Sequence, residues 1–129
     1  MRLLLDTHVL LWFAAGYEQL GAKAREAIAD PANTVLVSVV SLWEAAINIR
    51  LGKLEVDIPS LIQDSVGAGF DLLDLTPAHV ERLLALPVSE RHRDPFDHLL
   101  LAQAAAEEAV LVTDDGHAKR YCVPILRSR

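Results

Sequence analysis

Apolar positions in this chain fall into two kinds of run. The first kind is short and continuous: LLL at 3–5, TVLVS at 34–38, FDLLDL at 70–75, VLVT at 110–113 and VPIL at 123–126. Runs without polar alternation fit strands covered on both faces. Longer stretches with helical character lie between them. AKAREAIAD at 22–30 is alanine-rich and stops before Pro31, and SLWEAAINIRL starts at Ser41 and ends at Gly52, a C-terminal stop. Pro59 and Pro77 each sit where a first helical turn begins, the latter behind Thr76 as N-cap. Asp94 and Pro95 open a markedly apolar helix that reaches residue 108. The alternation predicts an α/β fold with a mainly parallel central sheet flanked by helices. In such sheets, chemistry gathers at the carboxyl ends of the strands.

The length of 129 residues fits a single domain spanning 1–129 with its own core. A net charge of -6 argues against binding nucleic acid through general electrostatics, but not against an enzyme whose metal ions meet the phosphate. Basic residues do cluster locally, at Arg50 with Lys53, at Arg91 to Arg93, and at Lys119, Arg120, Arg127 and Arg129. The lone cysteine, Cys122, cannot form an internal disulfide and suits a reducing compartment. Asp6, Thr7 and His8 interrupt the apolar N-terminus where a signal peptide needs continuity, and no apolar run is long enough to span a bilayer. The expected location is the cytoplasm, without membrane contact.

The carboxylates carry the chemical signal. Asp6 follows the first strand, Glu44 falls in the first turn of the helix after the second, Asp97 begins the apolar helix, and Asp114 and Asp115 close the fourth strand. Each has a structural explanation: Ser41-x-x-Glu44 matches a capping box, Asp94-x-x-Asp97 is a looser one, Asp6 can cap a helix beginning near His8, and TDDG at 113–116 can be a turn. Asp97 fits least well, because Leu100, Leu101 and Ala104 on its own face imply burial. Taken together, these acids converge on one edge of one sheet, where mutual repulsion is best resolved by a cation. An all-oxygen set without cysteine favours Mg²⁺ or Mn²⁺ over zinc. Such an ion neutralises phosphate oxygens and activates water for in-line attack. Thr113 is placed to hold Asp115 or a water by its hydroxyl. His8 and His98 border the acids, whereas His79, His92 and His117 show no ligand spacing; all five read as surface or packing residues.

With these residues in view, the chain resembles the PIN-domain ribonucleases, and specifically the VapC-like toxins of toxin-antitoxin modules. The resemblance rests on LLLDTHVLLW at 3–12, VSVVSLWEAAINIRLGKL at 37–54, RDPFDHLLLAQA at 93–104 and LVTDDGHA at 111–118, in the family's order over nearly the whole chain. It implies a PIN-like fold and a Mg²⁺- or Mn²⁺-dependent endoribonuclease acting on RNA. Carried over by motif, the acidic quartet is Asp6, Glu44, Asp97 and Asp115, with Thr113 in support; Asp114 remains the alternative fourth acid. The resemblance also implies a homodimer and a small antitoxin that occupies the acidic groove. His98 stands where relatives often carry arginine, and Gly116 where a larger residue is frequent. A different reading makes the same groove a non-catalytic binding site for a basic peptide. A phosphoacceptor receiver is disfavoured by chain order, because its paired acids would follow the first strand.

Overall fold

The computed structural model describes residues 1–16, 18–88, 94–115, 118, 121 and 123–129. Arg91 to Arg93, Gly116, His117, Lys119, Arg120 and Cys122 therefore lie outside the described residues. Chain order is β1 (Arg2–Leu5), α1 (Thr7–Ala15), α2 (Ala22–Ala29), β2 (Thr34–Ser38), α3 (Val39–Arg50), α4 (Ile58–Gly67), β3 (Asp71–Leu73), α5 (Pro77–Leu83), α6 (Pro95–Ala106), β4 (Val110–Thr113) and β5 (Ile125–Arg127). The five strands form one sheet in the order β3-β2-β1-β4-β5, and every pairing is parallel.

The continuous apolar strands are explained by two cores, one on each face of this sheet. Leu3 and Leu5 of β1, Val35 and Val37 of β2, and Val112 of β4 pack with Val9, Leu10, Ala24, Ile28 and Leu61 from α1, α2 and α4. Leu4, Leu36 and Leu111 point the other way and pack with Val40, Leu100, Leu101 and Ala104 from α3 and α6. Successive strand residues face opposite sides, so a strand buried twice needs an apolar side chain at each position.

Several boundaries differ from the sequence expectation, each for a local reason. The helix after β2 starts at Val39 and not at Ser41. Its N-cap is Ser38, whose Oγ accepts the Val40 N–H at 3.0 Å. Ser41 is consequently inside the helix and buried, and Glu44 lies in the second turn, so the capping box expected for this pair does not form. The fifth strand is Ile125–Arg127, shifted past Pro124, which has no N–H to give the ladder; its carbonyl accepts from Leu111 at 2.9 Å. The third strand is only Asp71–Leu73, because the Asp74 carbonyl turns to accept from Gln103 Nε2 at 3.3 Å. Other signals match: Gly52 stops α3 with φ 73°, and Thr76 caps α5 in a capping box with His79.

Gln103 is fully buried within α6, a helix otherwise made of leucine and alanine along this stretch. Its Oε1 accepts from Ser38 Oγ at the end of β2, and its Nε2 also lies 3.4 Å from His79 Nδ1. That same Nδ1 accepts the Thr76 N–H at 3.0 Å, which leaves His79 Nε2 as the donor to Glu107 at 2.9 Å. Glu107 also pairs with Arg2 at 3.0 Å. One polar chain therefore fixes α6 against β2 and α5. Replacing Gln103 with leucine strands the Ser38 hydroxyl and the Asp74 carbonyl, and is expected to destabilise the fold by roughly 1–3 kcal/mol. Urea denaturation measures this directly; an unchanged midpoint contradicts it.

Candidate functional site

In an open parallel sheet, the crevice forms where connections from neighbouring strands leave in opposite directions. Here the order β3-β2-β1-β4-β5 puts that point between β1 and β4. Asp6 leaves the end of β1, and Thr113 and Asp115 mark the end of β4. Asp6, Asp97, Thr113 and Asp115 line one cleft there, above a floor that includes Leu100, Leu101 and Leu111.

Asp6 is buried, with 8% of its surface exposed. Its Oδ1 accepts the Val9 N–H at 2.9 Å and so caps α1, while its Oδ2 accepts from the Thr113 hydroxyl. Thr113 Oγ1 in turn accepts the Asp115 N–H at 3.0 Å. One threonine thus joins the two acids, holding the first by its side chain and the second by its backbone. Burial pushes the Asp6 carboxyl up to about 6 from an ordinary 3.8, against the lowering effect of the Thr113 and Val9 hydrogen bonds. Burial also raises Glu44, opposed by the Thr7 hydroxyl, with Asp94 and Asp97 adding repulsion.

Asp97 stands in the first turn of α6, half-buried, where a helix N-terminus favours negative charge. Asp94 is the cap of that helix, accepting the Phe96 N–H at 2.9 Å. Glu44 stands beside the cleft rather than in its lining, and its Oε1 accepts from Thr7 Oγ1 at 2.6 Å. Of the two acids that close β4, Asp115 lines the cleft. Asp114 turns to Arg129, Oδ2 to Nη2 at 3.1 Å. Arg129 also lies over the Trp12 ring, 5.4 Å from its centroid. The backbone before it is tightly docked: the Gly21 N–H donates to the Ser128 carbonyl at 2.6 Å, and a Cβ at Gly21 would stand 2.9 Å from Arg129 Cα.

The remaining sequence candidates divide. His8 is exposed beside Trp12, with ring centroids 6.1 Å apart, and near enough to lower the pKa of both Asp6 and Glu44. His98 Nε2 lies 3.3 Å from the Tyr121 hydroxyl, and His79 is the buried cap described above. Arg50 is exposed at the last position of α3, roughly 9 Å along the helix from Glu44. Sequence reasoning missed Thr7, which directly follows Asp6, and Gln103, whose only signal was its polarity among alanines.

The donors around the cleft are carboxylates and a hydroxyl, a set suited to a hard divalent cation, and the raised pKa of Asp6 marks a charge that such a cation would relieve. The acids nevertheless gather less closely than expected. Among the described residues, no three Asp, Glu, His or Cys side chains stand close enough together to hold a metal ion. Asp6 and Glu44 are instead held by separate hydroxyl donors, which keeps their charges apart.

A parallel sheet with carboxylates flanking its switch point defines an α/β protein built around an acidic cleft. The chain belongs to the PIN domain family, whose family model matches residues 3–124. It is 30% identical over 122 residues to Ribonuclease VapC22 of Mycobacterium tuberculosis, covering 94% of this chain and 92% of that protein. Among solved structures, VapBC2 from Rickettsia felis, bound to a DNA fragment from its promoter, contains a similar chain with a TM-score of 0.77 at 19% identity over the full length of both. A toxin-antitoxin complex from Klebsiella pneumoniae contains another, with a TM-score of 0.63 at 16% identity over 98% of this chain and 97% of that one. No helix among the described residues is long and apolar enough to cross a membrane.

The buried Asp6 carboxyl yields a pH prediction. Its pKa is higher folded than unfolded, so between about pH 4 and 6 the native state holds a proton that the unfolded chain has released. Its contribution is most favourable below about 4 and declines as pH rises through 6, by roughly 3 kcal/mol in all. Glu44 adds to the same slope. Unfolding midpoints measured in EDTA from pH 4 to 7 are expected to fall more steeply for the wild type than for Asp6→Asn; parallel profiles refute the assignment.

Proposed function

We propose that this protein is a divalent-metal-dependent endoribonuclease, a single PIN domain spanning residues 1–129, that acts as the toxin of a cytoplasmic toxin-antitoxin pair and works as a homodimer. The observation that carries this reading is the shared cleft of Asp6, Asp97 and Asp115 at the switch point of the sheet, with Thr113 bonded to the first and the last. The similarity to Ribonuclease VapC22 supports RNA as the substrate. Neighbours solved as VapBC and toxin-antitoxin complexes support an antitoxin partner.

In this reading, Asp6, Asp97 and Asp115 would hold Mg²⁺ or Mn²⁺ once drawn closer together than they stand here, with Glu44 beside them. A divalent ion bound there would supply neutralisation of phosphate oxygens and activation of a water for attack. The protein's own part is positional. Thr113 fixes the Oδ2 of Asp6 and the backbone of Asp115, which ties together the acids that follow β1 and β4. The N-terminus of α6 presents Asp97 from the opposite wall, on a helix locked by Gln103. Thr7 holds Glu44 by one oxygen. Burial of Asp6 and the apolar floor limit water around the acids, which strengthens each electrostatic contact made there.

The wider spacing of the acids favours a second reading, in which the groove only binds a basic peptide. Calorimetric titration with Mn²⁺ separates the two. Under the nuclease reading the wild type binds the ion, Asp97→Asn binds it much more weakly, and cleavage of a single-stranded RNA pool falls at least roughly 100-fold in Asp97→Asn. Equal Mn²⁺ binding by both proteins, or undiminished cleavage by the variant, overturns it. Binding of a cationic peptide in EDTA, without RNA cleavage in Mn²⁺, establishes the peptide module instead.

A further inference from the structure

We propose that Trp43 is a stacking platform for an unpaired base of the RNA substrate, set at the rim of the acidic cleft; this deepens the nuclease reading and rests on it. Trp43 is 52% exposed, although it belongs to a helix that packs against α6. Its ring meets that of Phe96 edge-to-face, with centroids 4.9 Å apart and planes at 80°. Each ring is the chain neighbour of an acid in the candidate site: Trp43 precedes Glu44, and Phe96 precedes Asp97. Glu44 lies on α3 and Asp97 on α6, the two helices that the ring contact joins. The aromatic pair and the acidic pair therefore occupy the same seam between α3 and α6.

Two physical arguments identify the occupant as a nucleobase. A protein of net charge -6, with carboxylates in its cleft, gains little from general attraction to a phosphate backbone beyond what a bound cation would supply, which favours contacts that charge does not oppose. Stacking on an aromatic ring is such a contact, and it tolerates any base because every base has a π-face. Phe96 is partly buried against the core and braces the indole, which reduces the conformational freedom lost when a base settles on it. Bases within a duplex already stack on one another, so the platform selects unpaired RNA.

The test combines kinetics with fluorescence. With a random-sequence single-stranded RNA pool in Mn²⁺, Trp43→Ala is expected to raise KM roughly 5- to 150-fold while kcat stays within about threefold, and Trp43→Tyr to restore most of the loss. In a Trp12→Phe background, the remaining indole emission should be quenched by a 12-residue pool of the same RNA but not by an abasic chain of equal length. A wild type that cuts the pool with a KM matched by Trp43→Ala overturns the platform and leaves the nuclease reading standing. Equal quenching by the abasic chain also overturns it. A wild type that cuts no RNA in Mg²⁺ or Mn²⁺ removes the nuclease reading and the platform together. Quenching that grows with protein concentration in the absence of RNA assigns the ring to a contact between copies of this chain, and likewise overturns the proposal.

Discussion

The arrangement turns on a single buried carboxylate. Asp6 has its two oxygens committed to different parts of the molecule, one to the backbone that begins α1 and the other to the hydroxyl that ends β4. A buried charge with an unmet hydrogen bond is costly, and here both donors are supplied by neighbours that also have structural work. The first turn of α1 needs a cap, and the end of β4 needs a polar terminus beside its Leu5↔Val112 register. The carboxylate meets both needs, and the residual cost of its burial appears as a raised pKa. Capping and site formation are therefore one geometry at Asp6. In α6 they are divided between Asp94, which caps, and Asp97, which faces the cleft.

The opposite wall depends on a neutral counterpart. Gln103 uses both ends of its amide, accepting a hydrogen bond from the Ser38 hydroxyl and donating towards the Asp74 carbonyl and His79 Nδ1. An apolar α6 packed only by leucine and alanine could slide by a turn at modest cost, since one small side chain replaces another. The amide's bonds to Ser38 and Asp74 hold α6 in one register, which sets the depth at which Asp97 enters the cleft. Specificity of packing here comes from polarity, while most of the driving force comes from the surrounding leucines.

The strands and a mainly parallel sheet were legible because burial on two faces leaves a distinctive mark, a run with no polar alternation. Asp6, Asp97 and Asp115 were legible for a related reason: a sheet of this class determines which edge receives whatever follows a strand. What was illegible required partners distant in the chain. Ser38 and Ser41 are equally good caps by type, and the spacing of Ser41 to Glu44 matched a capping box. Ser38 takes the cap because its side chain reaches Val40 while its backbone still belongs to β2. Thr7 gave no sign of holding Glu44, a residue 37 positions away. Nor does sequence say that Asp114 is taken by Arg129, which leaves Asp115 in the cleft.

The bond between Thr113 and Asp6 spans 107 positions. A chain is synthesised from its N-terminus, and domains fold as units once enough of them has emerged. β1 is made first, yet it is the middle strand, and its β4 neighbour is among the last elements to appear. Until β4 emerges, Asp6 therefore lacks its threonine partner, and Asp97 lacks the acids that β1 and β4 bring to the cleft. The acidic cleft is assembled only after β4 has emerged, so until then a nascent chain carries its carboxylates as separate charges on the ribosome that is making it.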